Sequence, residues 1–136
     1  MYLDMMPCEG SDQQRKRWCV DVVRKLGQSL KRRGRPLIGV TTYEKSSAVS
    51  LHGHHMCRLD VRDFDLLDRY SDETVVARSF ARSRLAQVVA YRTKQRLPLS
   101  PAFEAVTNHQ RQKGAPIRGR RASFTAAARE LLASLQ

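Results

Sequence analysis

The sequence predicts an α+β domain in which helices pack on an antiparallel sheet. Three patterns carry that expectation. Apolar residues recur three to four apart between Ser11 and Gly34, a β-branched run at 37–44 is followed by strict alternation over 50–59, and a second helical pattern opens after Ser71. A chain of 136 residues has room for one such core and for no second enzymatic module.

In chain order, residues 1–10 ("MYLDMMPCEG") carry Pro7 and Gly10 and read as a poorly ordered start or the remnant of an edge strand. "SDQQRKRWCVDVVRKLGQSLKRRGRP" then sets Trp18, Val22 or Val23, Leu26 and Leu30 on one side of a helix. Ser11 serves as N-cap and Gly34 as the stop before Pro36. Residues 37–59 read as a β-hairpin: "LIGVTTYE", a polar turn "KSSAV", and the alternating "SLHGHHMCRL". "DVRDFDLLDRY" is a turn or short helix. "SDETVVARSFARSRLAQVVAYRTKQ" follows as a helix capped by Ser71 or Asp72, with Val76, Phe80, Leu85, Val88 and Val89 on its buried side. Pro98 and Pro101 end it. A short helix in "SPAFEAVTNHQRQK", a basic loop "GAPIRGRR" and a closing helix "SFTAAARELLASLQ", capped by Ser123 or Thr125, complete the chain.

Charge narrows the class of partner. The 25 Lys and Arg against 13 Asp and Glu give a formal +12, more than solubility needs, and from Thr74 onward the only acids are Glu104 and Glu130. A polyanion, nucleic acid first, is the expected partner. Aromatic content is 7%, which argues against a broad stacking platform and leaves the phosphate backbone as the main handle. Three cysteines without a CxxC pair, no leader-like start and no apolar run of membrane-spanning length lead to the expectation of a cytoplasmic protein with reduced thiols and no membrane partner.

The stretch with the most chemistry is "SLHGHHMCRL". Period-two alternation puts His52, His54, Met56 and Arg58 on one face of the strand and Leu51, Gly53, His55, Cys57 and Leu59 on the other. His52 and His54 can therefore share one ion, and the acid available on the neighbouring strand is Glu44. A five-residue turn at 45–49 pairs Glu44 with Ser50 and brings it to the His52/His54 face; a slip of one residue turns it away. Two imidazoles and a carboxylate leave coordination positions open, as a catalytic rather than a structural site requires. Two blander readings stand beside this one. The histidines are solvated, neutral residues of an exposed sheet face, or they form a zinc cluster with His55 and Cys57, which alternation opposes.

Further along, "VVAYRTK" places Tyr91 and Lys94 one helical turn apart. The order Glu44, His52-Gly53-His54, Tyr91-x-x-Lys94, after an amphipathic helix and a hairpin, resembles the HUH endonucleases, in particular the nicking domains of rolling-circle replication initiators. The resemblance spans roughly residues 15–96. It implies a ferredoxin- or RRM-like sheet and a divalent metal, Mn²⁺ or Mg²⁺, held by Glu44, His52 and His54. It further implies nucleophilic attack by Tyr91 on single-stranded DNA or an origin hairpin, with Lys94 assisting. On this reading 11–97 is the nicking domain and 98–136 a basic helical extension. The substrate grip falls to Arg84, Arg92, Arg118, Arg120 and Arg121, which are equally well read as a solvated face.

Two departures accompany the resemblance. Gly53 stands where the family usually has a bulky apolar residue, and the family's first strand is not recognisable in "MYLDMMPC", so a domain lacking that strand is one expected outcome. Gly114 and Gly119 have the spacing of a phosphate-binding loop, but Arg120 and Arg121 stand where Lys and Ser or Thr are needed and no apolar strand precedes them, so ATP binding is rejected. The competing functional readings are a non-catalytic basic DNA-binding protein and, third, an RNA-binding protein, which has no use for the ordered acid, histidine pair and tyrosine.

Overall fold

The computed structural model describes residues 2–45, 50–70, 74–78 and 122–135. The described residues form an α+β domain. Its elements are β1 (Tyr2–Met5), α1 (Asp12–Arg32), β2 (Ile38–Glu44), β3 (His52–Arg58), a 3₁₀ turn (Val61–Asp63), α2 (Asp65–Tyr70), β4 (Val75–Arg78), β5 (Ala122–Phe124) and α3 (Ala126–Ala133). The five strands form one antiparallel sheet in the order β4-β1-β3-β2-β5.

The first helix begins where the sequence places it. Ser11 Oγ accepts from the Gln14 amide while the Gln14 side chain takes the Ser11 amide, a reciprocal cap that satisfies two otherwise unpaired donors. At the other end Arg33 caps α1 and Gly34 takes φ +72, a left-handed conformation that glycine adopts without a Cβ clash. The buried stripe runs through Cys19, Leu26, Ser29 and Leu30, with Trp18, Val22 and Val23 partly buried beside it. Leu26 and Leu30 are thus in the stripe as the sequence predicts, while Trp18 and Val22 or Val23 lie at its margin.

Parity divides the sheet into two faces. Leu3 and Met5 of β1 join Leu26, Leu30, Leu37, Tyr43, Cys57 and Val75 in the core. α1 and β1 both crowd Gly53: a Cβ there would lie 2.9 Å from Cys19 Sγ of the helix and 3.0 Å from Met5 Cε of the neighbouring strand. Gly53 is therefore the residue that lets α1 sit against β3, which accounts for the departure from a bulky residue between the two histidines.

The N-terminal stretch is a full member of the sheet. β1 lies between β4 and β3, its Leu3 and Met5 wholly buried, so the domain does not lack a strand at this place. After β1 the Arg15 guanidinium donates to the carbonyls of Pro7, Cys8 and Gly10 and pins the connection to α1. The Met6 amide donates to the Thr74 carbonyl at 2.7 Å, extending the β1–β4 ladder by one bond.

The helix expected after Ser71 is corrected at its start, because Val75–Arg78 form the edge strand β4. Val75 is buried and Val76, 36% exposed, points to the other face. Thr74, Val75 and Val76 are β-branched, and β1 offers an open ladder to pair with, so long-range pairing overrides a helical pattern read locally. The remainder of that helix, and the elements expected from 79 to 121, lie outside the described residues.

At the C-terminal end Ser123 belongs to β5, paired with Thr41 of β2. Thr125 is the N-cap of α3, its Oγ1 accepting from the Ala128 amide. The same Oγ1 accepts from the Gly39 amide at 3.1 Å, and the Thr125 amide donates to the Gly39 carbonyl, so one residue both caps the helix and ties it to the sheet.

The short helices are fastened by side chains. Tyr70 of α2 meets Ser29 Oγ at 2.7 Å and donates to the Lys25 carbonyl. Asp63, almost wholly buried, is matched by the guanidinium groups of Arg33 and Arg35 at the end of α1. A buried carboxylate between two guanidinium groups is compensated, and removing both arginines would leave its charge stranded.

Candidate metal centre

On the face of the sheet opposite Gly53 and His55, three side chains converge. β2 and β3 pair so that Glu44 stands directly across from His52, two residues from the expected partner Ser50. The hairpin loop is correspondingly longer than five residues. A shift of two preserves parity, so Glu44 still lies on the His52/His54 face.

His54 Nε2 lies 3.2 Å from Glu44 Oε2 and His52 Nε2 lies 3.9 Å from the same oxygen. The two rings stand edge to face with centroids 4.8 Å apart. Glu44 is 8% and His54 4% exposed, and the His52 side chain retains 12%. These residues are therefore not a solvated surface row.

The donor set suits a divalent cation. One donor atom from each of the three residues lies within 4.8 Å of the others. Donors about 2.0–2.2 Å from a common ion stand roughly 3–3.6 Å apart at octahedral to tetrahedral angles. Glu44 and His54 already have that spacing, whereas His52 stands 3.9 Å from the shared oxygen and its ring must move inward to complete the set. Burial holds His52 below the usual imidazole pKa, with the Ser50 carbonyl acting in the opposite direction, so the ring is neutral at pH 7 and its lone pair is available.

Both rings are turned by acceptors at Nδ1. His52 Nδ1 lies 3.0 Å from the Ser50 carbonyl oxygen and His54 Nδ1 lies 2.7 Å from Asp4 Oδ1. The Ser50 carbonyl can only accept, so His52 Nδ1 carries a proton and its Nε2 is the atom turned toward Glu44; His54 also turns Nε2 toward Glu44, with Asp4 at its other nitrogen. Asp4 is the site residue that sequence reasoning missed. Its only local signal is alternation with the apolar Leu3 and Met5 over four residues, too short to distinguish from an irregular terminus.

The zinc cluster with His55 and Cys57 is excluded by parity, since both belong to the opposite, α1-facing side. His55 is fully buried there, hydrogen-bonded through Nδ1 to Thr41 Oγ1 at 2.8 Å. Tyr91, Lys94, Arg84, Arg92, Arg118, Arg120 and Arg121 lie outside the described residues.

No family model, no curated protein and no solved structure matches this chain. No helix among the described residues is long and apolar enough to cross a membrane.

Proposed function

We propose that the protein is a metal-dependent endonuclease of HUH type that nicks and rejoins single-stranded DNA through Tyr91. The observation that carries the reading is the convergence of Glu44, His52 and His54 on one buried point of the sheet, from an acid and a histidine pair that sequence order alone had singled out. Support also comes from the antiparallel sheet with helices against it and from the +12 charge, which suits a polyanionic substrate.

Glu44, His52 and His54 would hold Mn²⁺ or Mg²⁺. Bound there, the cation supplies Lewis acidity toward a phosphate oxygen. In the reaction the Tyr91 oxygen forms a bond to phosphorus and the bond from phosphorus to the 3′ oxygen breaks. The phenolic proton is passed on and the departing 3′ oxygen leaves as a hydroxyl, so a 5′-phosphotyrosine conserves the ester for rejoining. Tyrosine ordinarily titrates near pH 10, and Lys94 one turn away would favour the phenolate or the developing phosphate charge. Arg84, Arg92, Arg118, Arg120 and Arg121 would grip the strand through its phosphates.

The test is cleavage of single-stranded oligonucleotides, or of an origin hairpin, with Mn²⁺. The wild type is expected to give a covalent protein–DNA adduct that EDTA prevents, and Tyr91→Phe is expected to give neither adduct nor nick. Cleavage unaffected by Tyr91→Phe would refute the tyrosine mechanism. DNA binding that is salt-sensitive yet indifferent to EDTA and to changes at Glu44, His52 and His54, with no cleavage, would instead establish the alternative, a non-catalytic basic DNA-binding protein.

A further inference from the structure

We infer that Asp4 is the positioning residue of the metal centre, its carboxylate accepting the Nδ1 proton of His54 and so fixing the tautomer and ring plane that leave Nε2 for the cation. The inference rests on the reading of Glu44, His52 and His54 as metal ligands and extends it to a residue on a third strand.

Register places Asp4 there. β1 and β3 pair with Asp4 directly opposite His54, and the β4 neighbour of Asp4 is Val76. Across the sheet the row on this face runs Val76, Asp4, His54, Thr42 and Ala122, so Asp4 is the only acid in it. Leu3 and Met5, both with no exposed surface, anchor β1 in the core on either side of Asp4. The carboxylate is therefore held by the backbone of a central strand rather than by a loop.

The contact has the geometry of a charge-assisted hydrogen bond, Oδ1 to Nδ1 at 2.7 Å. It lies on the edge of the ring away from the Glu44 contact, so Asp4 orients His54 and does not share the ion. An imidazole offers one lone pair at a time, and a proton on Nε2 would remove His54 from the ligand set. A carboxylate at Nδ1 selects the other tautomer and raises the basicity of Nε2. The two histidines are treated unequally, since His52 has a neutral carbonyl at the same position and His54 a full negative charge. Asp4 and Glu44 together also supply two negative charges to balance a dication in a largely buried site.

Zn²⁺, which is diamagnetic, is the probe. In the zinc-loaded wild type, long-range ¹H–¹⁵N correlation is expected to show the His54 proton on Nδ1 and the metal on Nε2. By calorimetric titration, Asp4→Ala is expected to lose roughly 10–100-fold in Zn²⁺ affinity, and Asp4→Asn, which keeps an acceptor oxygen without the charge, a smaller factor. Unchanged affinity in folded Asp4→Ala, or Nδ1 of His54 metallated in the wild type, overturns the inference. The tautomer is read on the unaltered chain, so it decides the matter even where Asp4→Ala does not fold. The two levels separate cleanly. Binding lost in Glu44→Ala but retained in Asp4→Ala refutes only the positioning role, whereas a wild type that takes up no Zn²⁺ removes the metal centre and this inference with it.

Discussion

His54 and His55 are adjacent in sequence and opposite in environment. His54 faces carboxylates on both ring edges, while His55 lies in the α1-facing interior with Thr41 as its partner and no hydrogen-bond partner for Nε2 among the described residues. Burial alone pushes the His55 pKa down to about 4. Between pH 6.5 and 4 the unfolded chain therefore binds a proton that the folded chain refuses. The stability His55 allows is fully present above about pH 6.5 and falls as the pH drops toward 4, by about 3 kcal/mol in all. Urea unfolding midpoints measured across this range should fall steeply for the wild type and less so for His55→Gln. The cysteines divide in the same way. Burial pushes the thiol of Cys19 up to about 12 and that of Cys57 up to about 11, whereas Cys8 is exposed. A thiol reagent at neutral pH should label Cys8 alone in the native protein and all three cysteines in denaturant; rapid native labelling of Cys19 would contradict the packing of α1 on β3.

At the scale of elements, the contact between α1 and β3 depends on a missing side chain. A Cβ at position 53 meets the side chains of Cys19 and Met5 at 3 Å or less, so Gly53→Val forces these side chains, and with them the α1–β3 packing, to shift. The expected cost is about 1–3 kcal/mol, read as a lowered denaturation midpoint, with reduced metal affinity where β3 shifts with the helix. Thr125 joins two elements, capping α3 and receiving the Gly39 amide of β2. Thr125→Val keeps the shape and removes both acceptor functions, and it should cost about 1–2 kcal/mol in the same assay. A variant as stable as the wild type would mean that α3 contributes nothing to the hold on the sheet.

For the whole molecule, a cation bound by the native state and not by the unfolded chain raises stability by mass action, about 2.7 kcal/mol at a hundredfold excess over Kd. Thermal unfolding should shift upward with Mn²⁺ or Zn²⁺ concentration, and the shift should vanish in His54→Ala, whose missing ring removes one of three converging ligands. An equal shift in His54→Ala would place the ion elsewhere. Such coupling would be global, because the candidate ligands sit on β2 and β3 and Asp4 on β1, the three central strands.

Local chemistry was readable without coordinates wherever cause and effect lie within a turn or two of chain. The N-cap at Ser11, the stop at Gly34, and the hairpin with its facing His52 and His54 are such cases, and of the two caps read for the closing helix, Ser123 or Thr125, the second is the one used. Glu44 was readable because side-chain parity survives a register shift of two, although the shift itself was not. Asp4 and β4 were not readable. Asp4 reaches His54 across fifty residues, and Val75–Arg78 become a strand because β1 offers a ladder from the far end of the chain. The sequence by itself determined the α+β class, the face on which the histidine pair stands and the acid that joins it. Only the tertiary structure decided that Tyr2–Met5 form a central strand and that Asp4 on it meets the ring of His54. Pairing between distant strands is set by global burial and hydrogen-bond satisfaction, and no local periodicity carries that information.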